Sequence, residues 1–446
     1  MDMSPQSGAV LLVLLILGLP FGARAQDAQP GAKGNPEASY SLAANGLQVR
    51  LSPRMGDKKV AVLLMVRAGS FAEPAGKPHL AHLAEHVIVF GAREGSEEAQ
   101  AVQRWYEQRK ANAETLAPLM YFDLEVDSAE LDLALRVQAQ RLARAQLSPA
   151  VVAREIPRTL AELDFMEHNE QSSTAKMALV AFSQAVLHGK TDVPIRAVTR
   201  TFTVDDVRTF YQSAFRPDRA LLCVAGEFDV AAAKRSIEKI FGALPKSKDP
   251  QPALPKPKAG VRDVRWDLAT SNLVIGWPAP PPSDPDHAAL SLAAGLLTMR
   301  LFSDTQLTAT AKLPMATNDT DGFFVVNLQA KNNASLDKLR ARVEELVAPL
   351  STPEGLNDML IKSSALEYAG SLKGIDLDAI PLPQGMSKFM AMANLELQTG
   401  TKALVWGDLV GYAKCMSALE PAAVRGAVKR YLDPKAALVV RIEPAR

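Results

Sequence analysis

Phe215-Arg216-Pro217-Asp218-Arg219-Ala220-Leu221-Leu222-Cys223-Val224 returns, altered, as Leu432-Asp433-Pro434-Lys435-Ala436-Ala437-Leu438-Val439-Val440. The match extends upstream to Val207-Arg208 and Val424-Arg425, always at an offset of 217 positions. In both copies a helical pattern ends, a proline-containing turn follows and an apolar strand begins. A period this long is not that of a solenoid, so a duplicated domain is the simplest source, with chance likeness of two helix-turn-strand units as the alternative. Between the copies lies Leu244 to Lys258, LPKSKDPQPALPKPK, a Pro/Lys stretch that suits neither a helix nor an inner strand and reads as a linker. Val60 to Val66 and Ala220 to Val224 read as strands and Val207 to Phe215 as a helix, which gives an α+β chain. The expected units are residues 40–244, a linker at 245–258, and residues 259–446.

The bulk numbers agree with two units: 446 residues exceed one compact core. Hydrophobic residues at 48% and a formal net charge of +1 describe an ordinary globular chain and argue against nucleic acid as a partner. The two cysteines, Cys223 and Cys415, fall in different halves without ligand spacing, and read as isolated small hydrophobes, a long-range disulfide being the alternative. Ala9 to Leu19 is an unbroken apolar run, followed by Ala23-Arg24-Ala25. It reads as a signal peptide over residues 1–25, too short to span a bilayer, with an uncleaved anchor as the alternative because no Lys or Arg precedes the run. Residues 26–39 then form a disordered lead-in, and the mature chain is exported to a periplasm or the exterior with no stable membrane span.

Three of the six histidines sit within Pro78-His79-Leu80-Ala81-His82-Leu83-Ala84-Glu85-His86-Val87-Ile88-Val89-Phe90-Gly91. Pro78 suits a first helical turn and Gly91 a stop, so the segment is expected to be a helix of about three turns. Leu80, Leu83, Ala84 and Val87 make an apolar stripe for the core. His82, Glu85, His86 and Val89 repeat that spacing two residues later, about 200° around the axis. Histidines at i and i+4 can share one Zn²⁺, and the adjacent carboxylate, Glu85, can take a proton from water activated by the metal. His-x-x-Glu-His is the inverzincin order; a solvated polar face is the alternative reading.

Arg67-Ala68-Gly69-Ser70-Phe71-Ala72-Glu73-Pro74, followed by Ala81 to Gly91, resembles the signature block of the pitrilysin/insulinase metallopeptidases. The resemblance implies two similar metallopeptidase-like α/β sandwich domains, one Zn²⁺ per chain, and hydrolysis of extended peptides or unfolded segments. It implies a third ligand, a Glu 76 residues after the second His, which here is Glu162, and a supporting acid seven positions earlier, Glu155. Asp164, Glu167 and Glu170 are the neighbouring acids that lack this spacing. Lys110-Ala111-Asn112-Ala113-Glu114-Thr115 resembles the family's Asn-Ala-x-Thr segment, which implies that Asn112 and Ala113 hold the substrate as an added strand.

Three departures stand out. Pro157 lies between Glu155 and Glu162, where it removes a helical N–H. His79 replaces the glycine the family usually carries three positions before the first ligand. Alignment from Met299-Arg300-Leu301-Phe302 places Gln306 and Leu313 where active single-type members carry an Arg and a Tyr that bind the substrate carbonyl. The expectation is a zinc endopeptidase whose second half is degenerate, with a homologous subunit supplying the Arg/Tyr clamp. The rival is a non-catalytic scaffold or partner subunit that keeps the fold. A serine or cysteine hydrolase is a remote third, since no G-x-S-x-G elbow or Cys/His block is visible.

Overall fold

The structure, a computed structural model, describes residues 38–445 apart from 54–57, 118, 170, 193, 247–257, 268–269, 282–283, 308, 317–321, 332–333 and 373–408. The proposed signal peptide and nearly all of the Pro/Lys linker lie outside the described residues. Strands β1 (Ala38–Ser41), β2 (Gln48–Pro53), β3 (Lys59–Val66), β4 (Ala111–Thr115), β5 (Met120–Asp127) and β6 (Ala220–Gly226) form one sheet, ordered β1-β2-β6-β3-β5-β4. Strands β7 (Gly260–Trp266), β8 (Asn272–Pro278), β9 (Ala309–Ala316), β10 (Phe323–Ala330) and β11 (Leu438–Pro444) form a second, ordered β7-β11-β8-β10-β9. β1 begins at Ala38, so residues 38 and 39 belong to the first sheet and not to the lead-in.

Without β1 the two sheets have one topology. In each, the first strand runs parallel to the last, and every other neighbouring pair is antiparallel. The helices of the first half are α1 (Leu80–Val89), α2 (Glu97–Glu107), α3 (Leu131–Ala143), α4 (Pro149–Asn169), α5 (Gln171–His188), α6 (Ile195–Thr199), α7 (Val204–Ala214) and α8 (Val230–Phe241). Those of the second are α9 (Pro285–Ser303), α10 (Leu336–Val347), α11 (Asp358–Leu372), α12 (Leu409–Ser417) and α13 (Pro421–Tyr431). The repeated sequence is one repeated unit: α7 and α13 each lead through a 3-10 turn, Pro217–Arg219 or Pro434–Ala436, into the last strand of a sheet. α7 starts where it does because Thr203 and Asp206 form a reciprocal capping box, which satisfies two backbone donors at the helix end.

Each sheet packs one face on its own helices. In the first half Val60, Val62, Leu64 and Val66 of β3 meet Leu80, Leu83, Ala84 and Val87 of α1 and the apolar residues of α3 and α7 in one core. Gln138 of α3 is buried there and satisfies itself on the Val62 and Phe122 carbonyls, both at 2.9 Å. In the second half the alternation of the strands divides two cores. Leu273, Ile275, Phe324, Val326 and Val439 face α9 to α13, whereas Val274, Phe323, Val325, Leu438 and Val440 face the other way. That other face is covered by α5, a helix of the first half whose Met177 to Val180 and Phe182 are buried. From Met177 to Leu187 every residue of this helix is buried, and the second sheet helps to enclose it. Gly276 of β8 makes room for it: a Cβ there would sit 2.5 Å from the Phe182 ring. Cys223 is buried in β6, and Cys415 is half-buried in α12.

Candidate metal centre

α1 has the expected length of about three turns but starts later than Pro78 suggests. It begins at Leu80, because His79 takes a left-handed backbone conformation at φ 72°, and Pro78 therefore precedes the helix instead of opening it. This is the backbone region that glycine enters without strain and an L-residue enters at a cost of about 1–2 kcal/mol. The far end stops at Val89, and Gly91 serves close packing, since a Cβ on it would meet the Ala145 Cβ at 3.1 Å. Leu80, Leu83, Ala84 and Val87 are fully buried, as the apolar stripe requires. The opposite face is not a solvated one either: α4 and β4 bring Glu155 and Thr115 against it, and Glu85 is only 6% exposed.

On that enclosed face three donors converge. His82 Nε2 lies 3.5 Å and His86 Nε2 3.3 Å from the same oxygen, Glu162 Oε2, and all three atoms fall within 4.8 Å of one another. Ligands about 2.0–2.1 Å from a tetrahedral metal are about 3.3–3.4 Å apart, so these two separations fit a small divalent ion with little adjustment. α4 supplies Glu162 without interruption at Pro157. Its preceding turns place Glu155, fully buried, behind the same histidine, with Oε2 3.4 Å from His86 Nδ1. Glu155 is held in turn by Arg154 Nε at 2.6 Å and Arg158 Nη1 at 3.1 Å. One imidazole thus meets a carboxylate at each nitrogen. Asp164 points elsewhere and pairs with Arg196 at 2.8 Å; Glu170 is outside the described residues.

The electrostatics follow from this packing. Burial alone would lower the His86 pKa, but hydrogen bonds to Glu155 and Glu162 outweigh it and raise it to about 10. The Glu162 carboxyl is pushed up by burial and held well below its usual range by His82 and His86. Glu85 moves upward, chiefly through burial, against the opposing pull of His82, His86 and a 2.6 Å hydrogen bond from Thr115 Oγ1. A carboxylate shifted toward neutrality suits a group that must both accept and return a proton.

Asn112 and Ala113 lie on β4, the last strand of its sheet. Lys110 O accepts from Glu125 N–H and Leu116 N–H donates to Leu119 O, which fixes the phase of the ladder. Antiparallel alternation then turns Asn112 and Glu114 toward β5 and leaves the N–H and C=O of Ala111, Ala113 and Thr115 directed at the open edge, where no further strand pairs among the described residues. In the second half Arg300 holds the Leu346 and Gly355 carbonyls, Gln306 is exposed, and Leu313 sits in β9 opposite Asn327.

Four contributors were not assigned roles by sequence reasoning. Thr115 hydrogen-bonds Glu85; Glu73 accepts the Ala81 N–H at 2.9 Å at the start of α1; His79 Nε2 lies 2.7 Å from His82 Nδ1; and Thr199 lies beyond His79. Glu73, His79 and Thr115 lie inside stretches already singled out in the sequence, whereas Thr199 carried no signal there.

Residues 49–188 match the family described as Insulinase (Peptidase family M16), and residues 201–351 match the one described as Peptidase M16 inactive domain. The chain is 22% identical over 274 residues to the mitochondrial-processing peptidase subunit beta of Blastocladiella emersonii, a match covering 60% of this chain and 58% of that relative. Among solved structures it resembles a protease from Helicobacter pylori, with a TM-score of 0.68 at 18% identity over 92% of this chain and all of that one. It also resembles the first half of the periplasmic protease PqqL from Escherichia coli, with a TM-score of 0.60 at 16% identity over 93% of both chains.

Proposed function

The chain belongs to the insulinase (M16) peptidase family, and on that premise we propose that it is a zinc-dependent endopeptidase that cleaves extended peptides or unfolded segments. The observation that carries the reading is the convergence of His82 Nε2, His86 Nε2 and Glu162 Oε2 beside a buried Glu85. Three protein donors leave a fourth position open, the arrangement of a catalytic and not a structural zinc site. A zinc ion held there would act as a Lewis acid on a peptide carbonyl and make water a better nucleophile near neutral pH. Glu85, anchored by Thr115, takes the proton from the attacking water and returns it to the departing amine. Glu155 orients His86, and the outward backbone groups of Ala113 receive the substrate as a further strand, with the exposed Asn112 side chain beside it. Zinc-dependent cleavage of an unstructured peptide, lost in Glu85→Gln, is the test.

The donors that would polarise the substrate carbonyl are the missing part. Gln306 and Leu313 stand where a cation and a phenol are expected, so we place this chain as the zinc-bearing partner of a homologous subunit that supplies them. The similarity to a protein designated a subunit supports that assembly. The match of residues 201–351 to an inactive domain also supports a second reading, a partner chain without turnover, which the Glu85→Gln comparison separates from the first. Export to a periplasm is proposed from the apolar run ahead of Ala23-Arg24-Ala25; a described periplasmic relative agrees with it. No helix among the described residues is long and apolar enough to cross a membrane.

A further inference from the structure

Resting on the zinc reading above, we infer that the second half of the chain sets the place of the third ligand, and that Asp267, just past β7, is the positioning residue through which it does so. Glu162, Leu163 and Asp164 are consecutive on α4 and go three ways. Glu162 turns to the metal position, with Oε2 3.3 Å from His86 Nε2. Leu163, 1% exposed, enters the core that α5 and Ile195 of the first half share with Val264 and Trp266 of β7. Asp164 Oδ1 accepts from both Nε and Nη2 of Arg196, at 2.8 Å each. The same guanidinium turns its Nη1 to the carbonyl and the carboxylate of Asp267. The two residues that follow the ligand thus meet the second half, one by packing and the other through a single arginine.

Asp267 also builds the element that carries Arg196. α6 has five residues, too few to stand on its own hydrogen bonds, and Pro194 at its N-cap makes no side-chain cap. Asp267 supplies the cap from the other half: Oδ1 accepts the Ile195 N–H and Oδ2 the Arg196 N–H, both at 3.1 Å. The Thr191 carbonyl accepts the Arg265 N–H at 3.1 Å, which ties the approach to α6 to β7 a second time. The links differ in stiffness. Asp164 is 57% exposed, so its ion pair alone holds α4 weakly, whereas Leu163 is enclosed in close-packed surroundings. Removing Asp267 loosens both routes at once, because Ile195 of the shared core and Arg196 of the ion chain are the two residues it holds. The second half, whose sheet repeats the first without its His-x-x-Glu-His motif, thereby has a task in the first half's site.

The test compares the wild-type full chain with Asp267→Ala and with Asp263→Ala, a control on β7 itself whose carboxylate pairs with Arg441 of β11 at 2.6 and 2.9 Å. Amide hydrogen exchange over residues 159–165 of α4 is read in metal-free protein, and zinc affinity by chelator competition. Asp267→Ala is expected to speed that exchange and to weaken zinc, each by about 2- to 30-fold, the usual reach of coupling through packed and ion-paired networks, while Asp263→Ala changes neither. Arg196→Lys, whose point charge cannot hold two carboxylates in a fixed fork, is expected to act in the same direction and decides the matter if Asp267→Ala does not fold. Exchange in α4 that is unchanged by Asp267→Ala, or changed equally by Asp263→Ala, overturns the inference, and so does faster exchange with zinc affinity intact. A wild type that binds no zinc while α4 still responds to Asp267→Ala refutes the function and leaves the coupling between the halves standing.

Discussion

Changing Glu155 and Glu162 separately to glutamine separates the role of ligand from that of support. Glu162→Gln takes the anionic oxygen from the point where His82 Nε2 and His86 Nε2 converge, at 3.5 and 3.3 Å. Glu155→Gln leaves all three donors in place, and the amide oxygen can still accept from His86 Nδ1. What is lost there is negative charge behind the ring, and losses of that sort cost about 10- to 100-fold in metal affinity, or about 1.4 to 2.7 kcal/mol. The retained acceptor puts Glu155→Gln at the lower end of that range. Glu162→Gln is expected to weaken zinc by more than 100-fold. Competition of each zinc-loaded protein against a chelator of known affinity gives the ratio directly. Equal losses in the two variants, or a larger loss in Glu167→Gln than in Glu162→Gln, would refute the assignment of ligand and support.

Ala113→Pro removes an N–H that points at the open edge of β4 and leaves the bonds to β5 intact, so zinc binding should persist while kcat/KM falls by about 2- to 13-fold, the worth of one net hydrogen bond; unchanged peptide kinetics would remove β4 as the substrate edge. Burial raises the Glu73 pKa from 4.5 to about 8, and its Oε2 has no partner among the described residues, so the folded state binds this proton more tightly than the unfolded state. Its stabilising contribution is therefore full below about pH 4.5 and is lost as pH rises toward about 8; urea denaturation of wild type should show that decline, and Glu73→Gln should flatten it. The isolated chain should cleave peptides slowly, by a hundredfold or more relative to a mixture with a homologue that carries Arg and Tyr but no His-x-x-Glu-His, since preorganised donors are worth about 3–4 kcal/mol each; full activity alone would end the two-subunit reading.

What could be read from the sequence was local or periodic. The helix-turn-strand unit at Val204 to Gly226 and Pro421 to Pro444 was legible because the end of a helical pattern, a proline turn and an apolar run lie within a few residues of one another. The face of α1 was legible because 3.6 residues per turn brings His82 and His86 together. Long-range closure was not. That α5 would cover the second sheet depends on Gly276 lying under Phe182, and Thr115 and Thr199 reach the site through β4 and α6. Even the true start of α1 depends on a left-handed His79, a conformation that few residues other than glycine adopt and that no local pattern announces.

The central claim, a catalytic zinc held by this constellation, is tested most directly by metal analysis of the purified full chain, wild type against the His82→Ala, His86→Ala double variant and Glu85→Gln. One zinc per chain in wild type and Glu85→Gln, near none in the double variant, and loss of peptide cleavage in Glu85→Gln is the predicted result. Full zinc occupancy in the double variant, or cleavage undiminished in Glu85→Gln, would contradict it.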